Sequence, residues 1–470
     1  MSVAYNACPP ILPDPKDSAL IDTHHFTLQN AIYLTVKYSQ TIESASLGQE
    51  SNYWNMRAAY YGYEPQFNIT GEAQYTKGLQ PSYTLAPTMD WNTIIGSDIS
   101  FNYVPTFLKN VGAGNTSAGY GQLTIEQPLL KNFGVAFNSI TLKTAIYNYQ
   151  LTNLTYKDSL MTQIVKVISA FRNVVQGIRG LEEARSSVLL AKQNVKNTRL
   201  KLENDDPKTT PGDLVQYEQS LATSEIQYLN QRNTAETEYQ TLLAEIGLPV
   251  TAKLTLDDSM HASRAMIPSE SSAIKTALEN NIEYLQEKVR VENAKLGVIS
   301  ALNQAKWELT LQGQSDIIGP GPKTNPFTGV TSGTANNASV NLAIPLFNVA
   351  NHVAIVNAKI TLAQAQITLA NLRRTLITTV KNEITTADFL YQKIETGHTQ
   401  VALDRDSLRG AMIKAAYGQG AAFEVNRLQT TLLDNEIALI GDQINFENSI
   451  TILNQTLGKT LEAWHLKAKY

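Results

Sequence analysis

The stretch from Ala343 to Gly458 constrains the fold more than any other. It opens on Ala343-Ile344-Pro345-Leu346-Phe347 and then runs for about seventy residues without proline, the residue that most strongly breaks helices. Ile355, Ala358, Leu362, Ala365, Leu369, Leu372 and Leu376 recur in alternating steps of three and four, the seam of a helix packed lengthwise on another. After Tyr417-Gly418-Gln419-Gly420 the same beat resumes in Leu428, Leu432, Leu439, Phe446, Ile450, Leu453 and Leu457. The pattern predicts two long antiparallel helices joined by a glycine-rich turn.

The design occurs twice. Gln127-Pro128-Leu129-Leu130 matches Ile344-Pro345-Leu346-Phe347 at an offset of 217 (Pro128 to Pro345). The later stripe matches Tyr217, Leu221, Tyr228, Ala235, Tyr239, Leu242 and Ile246 at an offset of 211, with Gly247 standing for Gly458. The difference falls at the hairpin tip, where the first copy carries Asp205-Asp206-Pro207-Lys208-Thr209-Thr210-Pro211-Gly212. A hairpin tip is where a structural repeat absorbs an insertion.

Read in order, residues 1–26 form an extended arm rich in proline and aspartate. Repeat one spans 27–248. A helix capped by Thr27 runs to about Tyr63 and stops at Glu64-Pro65. Phe67, Ile69, Gly71, Ala73 and Tyr75 alternate with polar residues, which predicts a strand. Residues 76–92 read as loop and 120–125 as a short strand; 95–103 alternates too, either as a loop excursion or because the strand boundaries fall elsewhere. A long helix follows Pro128 and Gly134 and ends near Leu202, and a return helix runs from about Asp213 to Ile246. Residues 249–270 read as an irregular linker. Repeat two, 271–458, repeats the order: a helix to about Ala301, a strand at 307–312, a loop over 313–338, a strand near 340–344, then the long helix pair. Strands therefore concentrate in about 66–127 and 306–345. A C-terminal tail, 459–470, reads as surface-bound or frayed.

Charge excludes some functions. Across 470 residues, 38 basic and 42 acidic side chains give a net charge of −4, so no strong field points to nucleic acid or anionic lipid. No apolar run reaches the length of a membrane-spanning helix. Met1 to Pro10 lack the basic start and apolar core of a signal peptide, which predicts a cytosolic protein or a processed form. Cys8 is the single cysteine, either a plain thiol or the lipid-bearing residue of a lipoprotein. No phosphate-binding loop, nucleophile elbow or metalloprotease motif is present, so the sequence points away from an enzyme, and no cofactor or metal is expected.

Half-apolar strands with open edges and very long helical strips do not close on themselves. A barrel shared among identical subunits satisfies both, with polar faces on water and apolar faces on lipid. The chain resembles the TolC-type outer membrane efflux proteins (outer membrane factors). The likeness rests on the duplicated order, on Gln127-Pro128-Leu129-Leu130 with Gly134, on Ile344-Pro345-Leu346-Phe347, and on Tyr417 with Gly420. It covers roughly 27–248 and 271–458. The resemblance implies a mixed α/β membrane protein: a homotrimeric 12-stranded outer-membrane β-barrel, four strands per chain, continuous with a long periplasmic α-helical barrel. The linker would lie in the equatorial region.

It also implies a passive exit duct of a tripartite efflux or type I secretion system in a Gram-negative bacterium. Partners would be a periplasmic adaptor and an inner-membrane RND, MFS or ABC transporter. A trimeric structural or adhesive coiled-coil stalk is the alternative. In the family, acidic residues beyond the repeat-two turn line the periplasmic entrance. Asn426 and Gln429 hold the matching positions, with Glu424 nearby and Asp213 and Glu218 beyond the first turn. These five are the gate candidates. Pro211, Gly212, Gly418 and Gly420 are expected in the tip turns, and Pro128, Gly134 and Pro345 at strand-to-helix junctions.

Overall fold

A computed structural model describes residues 26–75, 77, 82–108, 116–204, 209–249, 251–257, 262–320, 334–346, 349–417 and 422–466. The chain divides into two units. One gathers Met1–Ser46, Thr155–Leu285 and Leu372–Tyr470, the other Leu47–Leu154 and Gln286–Asn371.

The second unit contains a sheet of six strands, all antiparallel and paired in chain order. They are β1 (Gln66–Gln74), β2 (Ser82–Asn92), β3 (Asp98–Leu108), β4 (Thr116–Pro128), β5 (Glu308–Pro320) and β6 (Thr334–Ala343). This corrects two expectations. Residues 82–92 are a strand, not loop, and the four strands per chain implied by the resemblance are six among the described residues. Pro87 disguises β2: a proline inside a strand lacks a ladder donor and reads as a breaker. The β2–β3 pairing runs from Ser82 to Thr84 and again from Thr88 to Asn92, on either side of that proline. β5 and β6 also extend well into the interval read as loop, 313–338.

The helices are α1 (Leu28–Tyr38), α2 (Gln40–Tyr61), α3 (Val135–Asn138), α4 (Ile140–Glu203), α5 (Pro211–Ile246), α6 (Glu270–Asn280), α7 (Ile282–Gln304), α8 (Val349–Ala416), α9 (Ala422–Thr456) and α10 (Thr460–Ala463). The helix expected over 27–63 is broken at Ser39, and its counterpart after 270 at Asn281. Both break residues have extended backbone. Neither is proline or glycine, so no strong breaker announces them. Thr27 does cap α1, its side chain accepting from Asn30 N.

Within the first unit, the helices bury two separate cores. Phe26, Leu34, Val167, Phe171, Leu242 and Ile246 bury one core. Ala273, Ala277, Leu376, Val380, Leu453 and Leu457 bury the other. Gly247 and Gly458 end α5 and α9 with positive φ angles of 88° and 71°, where a side chain is strained. A Cβ on Gly247 would stand 3.0 Å from Tyr38 O, and one on Gly458 would overlap Asn280 O. Each glycine lets a return helix end against the residue before a break.

The linker is pinned rather than loose. Phe26 and Leu256 form a parallel bridge, and the Tyr239 hydroxyl donates to Ala252 O at 2.7 Å and accepts from Leu254 N at 2.7 Å. The start of the expected tail is also packed: α10 buries Leu461, so fraying does not begin at 459.

α8 carries an 18-residue window of mean hydropathy 1.3 that is not buried within the chain. It is long and apolar enough to cross a membrane, contrary to the expectation that no helix would be. The apolar positions there alternate with Asn, Gln, His and Lys, so the average hides a seam.

Candidate functional site

Residues paired across a ladder share a face of the sheet. Phe67, Met89, Phe101 and Leu123 form one such row. Asn68, Thr88, Asn102, Gln122 and Asp316 form the next, on the opposite face. The alternation stays in phase across the sheet. Ile69, Ile99, Ile125, Leu311 and Val340 extend the apolar face, while Gln66, Asp90, Ser100, Thr124 and Gln314 extend the polar one. Phe67 is 75% exposed, Ile69 72% and Val340 66%, so none of the described residues covers the apolar face there.

Glu72, Asp90, Asp98, Glu126, Glu308 and Asp316 all fall on the polar face, and none of the described strand residues is Lys or Arg. Gln122 Nε2 donates to Asp316 Oδ1 at 3.0 Å and Gln314 Nε2 donates to the same carboxylate at 2.9 Å. Among the described residues, β1 and β6 are the two open edges.

Pro128, Gly134 and Pro345 all lie at the end of a strand or between it and the helix that follows. Pro128 ends β4 opposite Thr310, and Leu129 N donates to Leu309 O at 2.7 Å. Gly134 precedes α3 with φ 95° and donates to Ile95 O at 3.0 Å. Pro345 follows β6 on an exposed segment. Tyr63 adds an anchor: its hydroxyl donates to Asn138 O, and Trp91 Nε1 donates to Tyr63 O at 2.9 Å.

The tip helices place the gate candidates individually. Thr210 and Asp213 form a capping box at the start of α5: Thr210 N donates to Asp213 Oδ2 at 2.9 Å, and Asp213 N donates to Thr210 Oγ1 at 3.3 Å. Pro211 and Gly212 therefore belong to the first helical turn, not the connecting turn, because proline suits the position after a cap. Glu218 pairs with Arg199 of α4 at 3.0 Å, and Glu424 with Arg427 at 3.0 Å. Arg427's hydrogen bond holds the Glu424 carboxyl below its ordinary range.

Asn426 Nδ2 donates to Gln216 O at 3.1 Å, tying α9 to α5. Gln429 is 5% exposed and donates to Ser187 O at 3.0 Å, tying α9 to α4. Gln429 thus stands inside the helix packing rather than on an open face, a correction to its expected place on an aperture. An amide at a seam position is drawn inward by the backbone acceptor it finds there. Val195, Tyr217, Leu408, Ala422 and Val425 bring α4, α5, α8 and α9 together at this end. Cys8, Gly418 and Gly420 lie outside the described residues.

Two charged clusters lie between the long helices. Arg172 Nε lies 3.0 Å from Glu447 Oε2, both side chains 9% exposed, and Arg172 also donates to Thr451 Oγ1 at 2.7 Å. Burial pulls the guanidinium below its ordinary range while Glu447 opposes the shift. Glu183 packs beside Glu436, which accepts from Arg405 Nε at 2.8 Å. Burial, then the Glu436 charge, push the Glu183 carboxyl up. Among the described residues no cluster of His, Cys, Asp and Glu suits a metal ion.

No protein-family model matches the chain, and no curated protein matches it either. Solved structures do. The outer membrane protein VceC of Vibrio cholerae aligns with a TM-score of 0.70 at 14% identity, over 92% of this chain and 96% of that one. The outer membrane channel CmeC of Campylobacter jejuni aligns at 0.67 and 12% identity, over 92% and 86%. The open state of the MtrE outer membrane channel of Neisseria gonorrhoeae aligns at 0.69 and 13% identity, over 92% and 89%. The chain has the fold of the TolC-type outer membrane channels.

Proposed function

We propose that this chain is a passive exit duct of the outer membrane of a Gram-negative bacterium. It works as a homotrimer in a tripartite efflux or type I secretion assembly and catalyses no covalent step. The observation that carries this reading is the sheet, apolar on one face and polar on the other, with both edges open. A stable water-exposed sheet hides its apolar face and blunts its edges. A barrel wall leaves the apolar face to lipid, the polar face to water, and joins each edge to a neighbouring copy. A coiled-coil stalk would have no use for such a wall.

The first unit is the periplasmic part, where an adaptor docks and an inner-membrane RND, MFS or ABC transporter supplies the energy. The two halves of the chain are structural repeats; the paired helix breaks and the paired glycines Gly247 and Gly458 support this. The exposed apolar window of α8 packs against helices of neighbouring copies. The gate lies where the helix tips meet, with Asn426 and Gln429 as ties that hold α9 to α5 and α4.

Single cysteines in a Cys8→Ser background test the orientation. An impermeant thiol reagent applied to intact cells labels Lys77→Cys and leaves Thr210→Cys unlabelled until the outer membrane is permeabilised. Labelling of Thr210→Cys alone would invert the reading. Native mass analysis in detergent gives three chains; a stable folded monomer would overturn the assembly.

A further inference from the structure

The β2–β3 hairpin separates β1 from β4, and the architecture implied by resemblance has no room for it. We infer that this hairpin is part of the barrel wall, so that each chain contributes six staves and the closed barrel of three copies has eighteen strands. The inference rests on the duct reading for the number of copies, but not for the hairpin itself.

Three observations carry it. First, the ladder passes through the hairpin without a break in register: the row Asn68, Thr88, Asn102, Gln122 crosses four strands. Second, the hairpin keeps the two-faced pattern in phase with its neighbours. Met89, Trp91, Ile99 and Phe101 share the apolar face with Phe67 and Leu123. Thr88, Asp90, Ser100 and Asn102 share the polar one. A surface loop excursion has no need of a face that continues a lipid-facing wall.

Third, the hairpin spans the sheet from end to end. Asp90 pairs with Gln66 at the start of β1, and Asp98 with Glu126 near the end of β4. Its turn therefore lies beside the strand-to-helix junctions and is tied to them. Ser97 N donates to Thr93 Oγ1 at 2.9 Å, the Ser97 hydroxyl donates to Gln127 Oε1, and Gly134 N reaches Ile95 O. Gly96 adopts φ 96° there, and a Cβ would overlap Asn132 O, so the turn and the junction fit without spare room.

The consequence is a wider mouth. With strands about 4.8 Å apart and tilted by about 40°, eighteen strands close at a backbone diameter of roughly 36 Å, against roughly 24 Å for twelve. The membrane segment then admits bulkier solutes than a twelve-stranded wall, and any size limit falls to the helical part.

Paired cysteines in the Cys8→Ser background test the hairpin in the assembled, detergent-extracted protein. Asn68→Cys with Thr88→Cys joins neighbouring strands, within disulfide reach. Asn68→Cys with Gln122→Cys lies about three strand spacings apart, roughly 14 Å and beyond reach, unless β1 abuts β4 directly. After mild oxidation, peptide mass analysis gives at least about tenfold more disulfide for the first pair, well beyond scatter in yield. Disulfide in the second pair, or in neither, overturns the inference. Electron cryomicroscopy then counts strands across the barrel: eighteen are expected, and twelve contradict. A particle that is not trimeric would defeat the assembly reading, while the cysteine result would still decide the hairpin.

Discussion

At the residue scale, Gly247 and Gly458 do the same work in different places. Each combines a positive φ with a carbonyl lying where a Cβ would go. Gly458→Ala adds left-handed strain to a clash with Asn280 O, and it costs at least about 2 kcal/mol. Gly134→Ala has the positive φ but open space around it, and costs less. Denaturant melts of the two alanine variants check the order, with Gly458→Ala the more damaging. Glu183 gives a second test. Its raised carboxyl means that the folded state holds the proton more tightly than the unfolded chain. That stability is present below the ordinary carboxylate range and is lost as pH rises through the raised value. Glu183→Gln therefore melts above the parent near neutral pH, and the two curves converge in acid. An unchanged difference across that range would remove the burial and the neighbouring Glu436 as the cause. Neither feature was plain in the sequence. Gly247 and Gly458 were visible as matching helix ends, but the carbonyls they touch belong to breaks at Ser39 and Asn281 that lack any strong breaker.

At the scale of elements, legibility followed the strength of the local pattern. The long helices α4, α5, α8 and α9 were readable because their three–four beat persists over many turns and ends at caps and glycines. β1 and the start of β5 alternate cleanly and were read as strands. β2 was missed because Pro87 interrupts its alternation, and because only the partners β1 and β3 make that stretch a strand. The tip residues show the same limit from another side. Asp213, Glu218, Glu424, Asn426 and Gln429 do fall near the starts of the return helices, yet which way each faces depends on neighbours. Gln429 turned inward to Ser187 and Asp213 went to its own helix cap. The two faces of the sheet make a prediction at this scale. Phe101→Arg places a charge on the apolar face and costs about 2–4 kcal/mol in a membrane, whereas Asn102→Arg on the polar face is tolerated. Heat-resistance of the assembled particle on gels separates them. Equal loss in both variants would mean the apolar face does not meet lipid.

At the scale of the whole molecule, the proposed duct would use the two-faced sheet, its open edges and the apolar window of α8, with copies of the chain completing each other around a water-filled interior. The six carboxylates on the polar face, with no Lys or Arg among the described strand residues, would give that interior a negative field and a preference for cations. A duct of this kind forms a water-filled path through a membrane. Single-channel recording of the purified protein in planar lipid bilayers tests it most directly. Discrete current steps are expected, with a reversal potential that favours cations in a salt gradient and a weaker preference in a variant carrying Asp90→Asn, Asp98→Asn and Glu126→Gln. A correctly folded oligomer that inserts into the bilayer and carries no current, whether alone or with Asn426→Asp and Gln429→Leu loosening its helix tips, would contradict it.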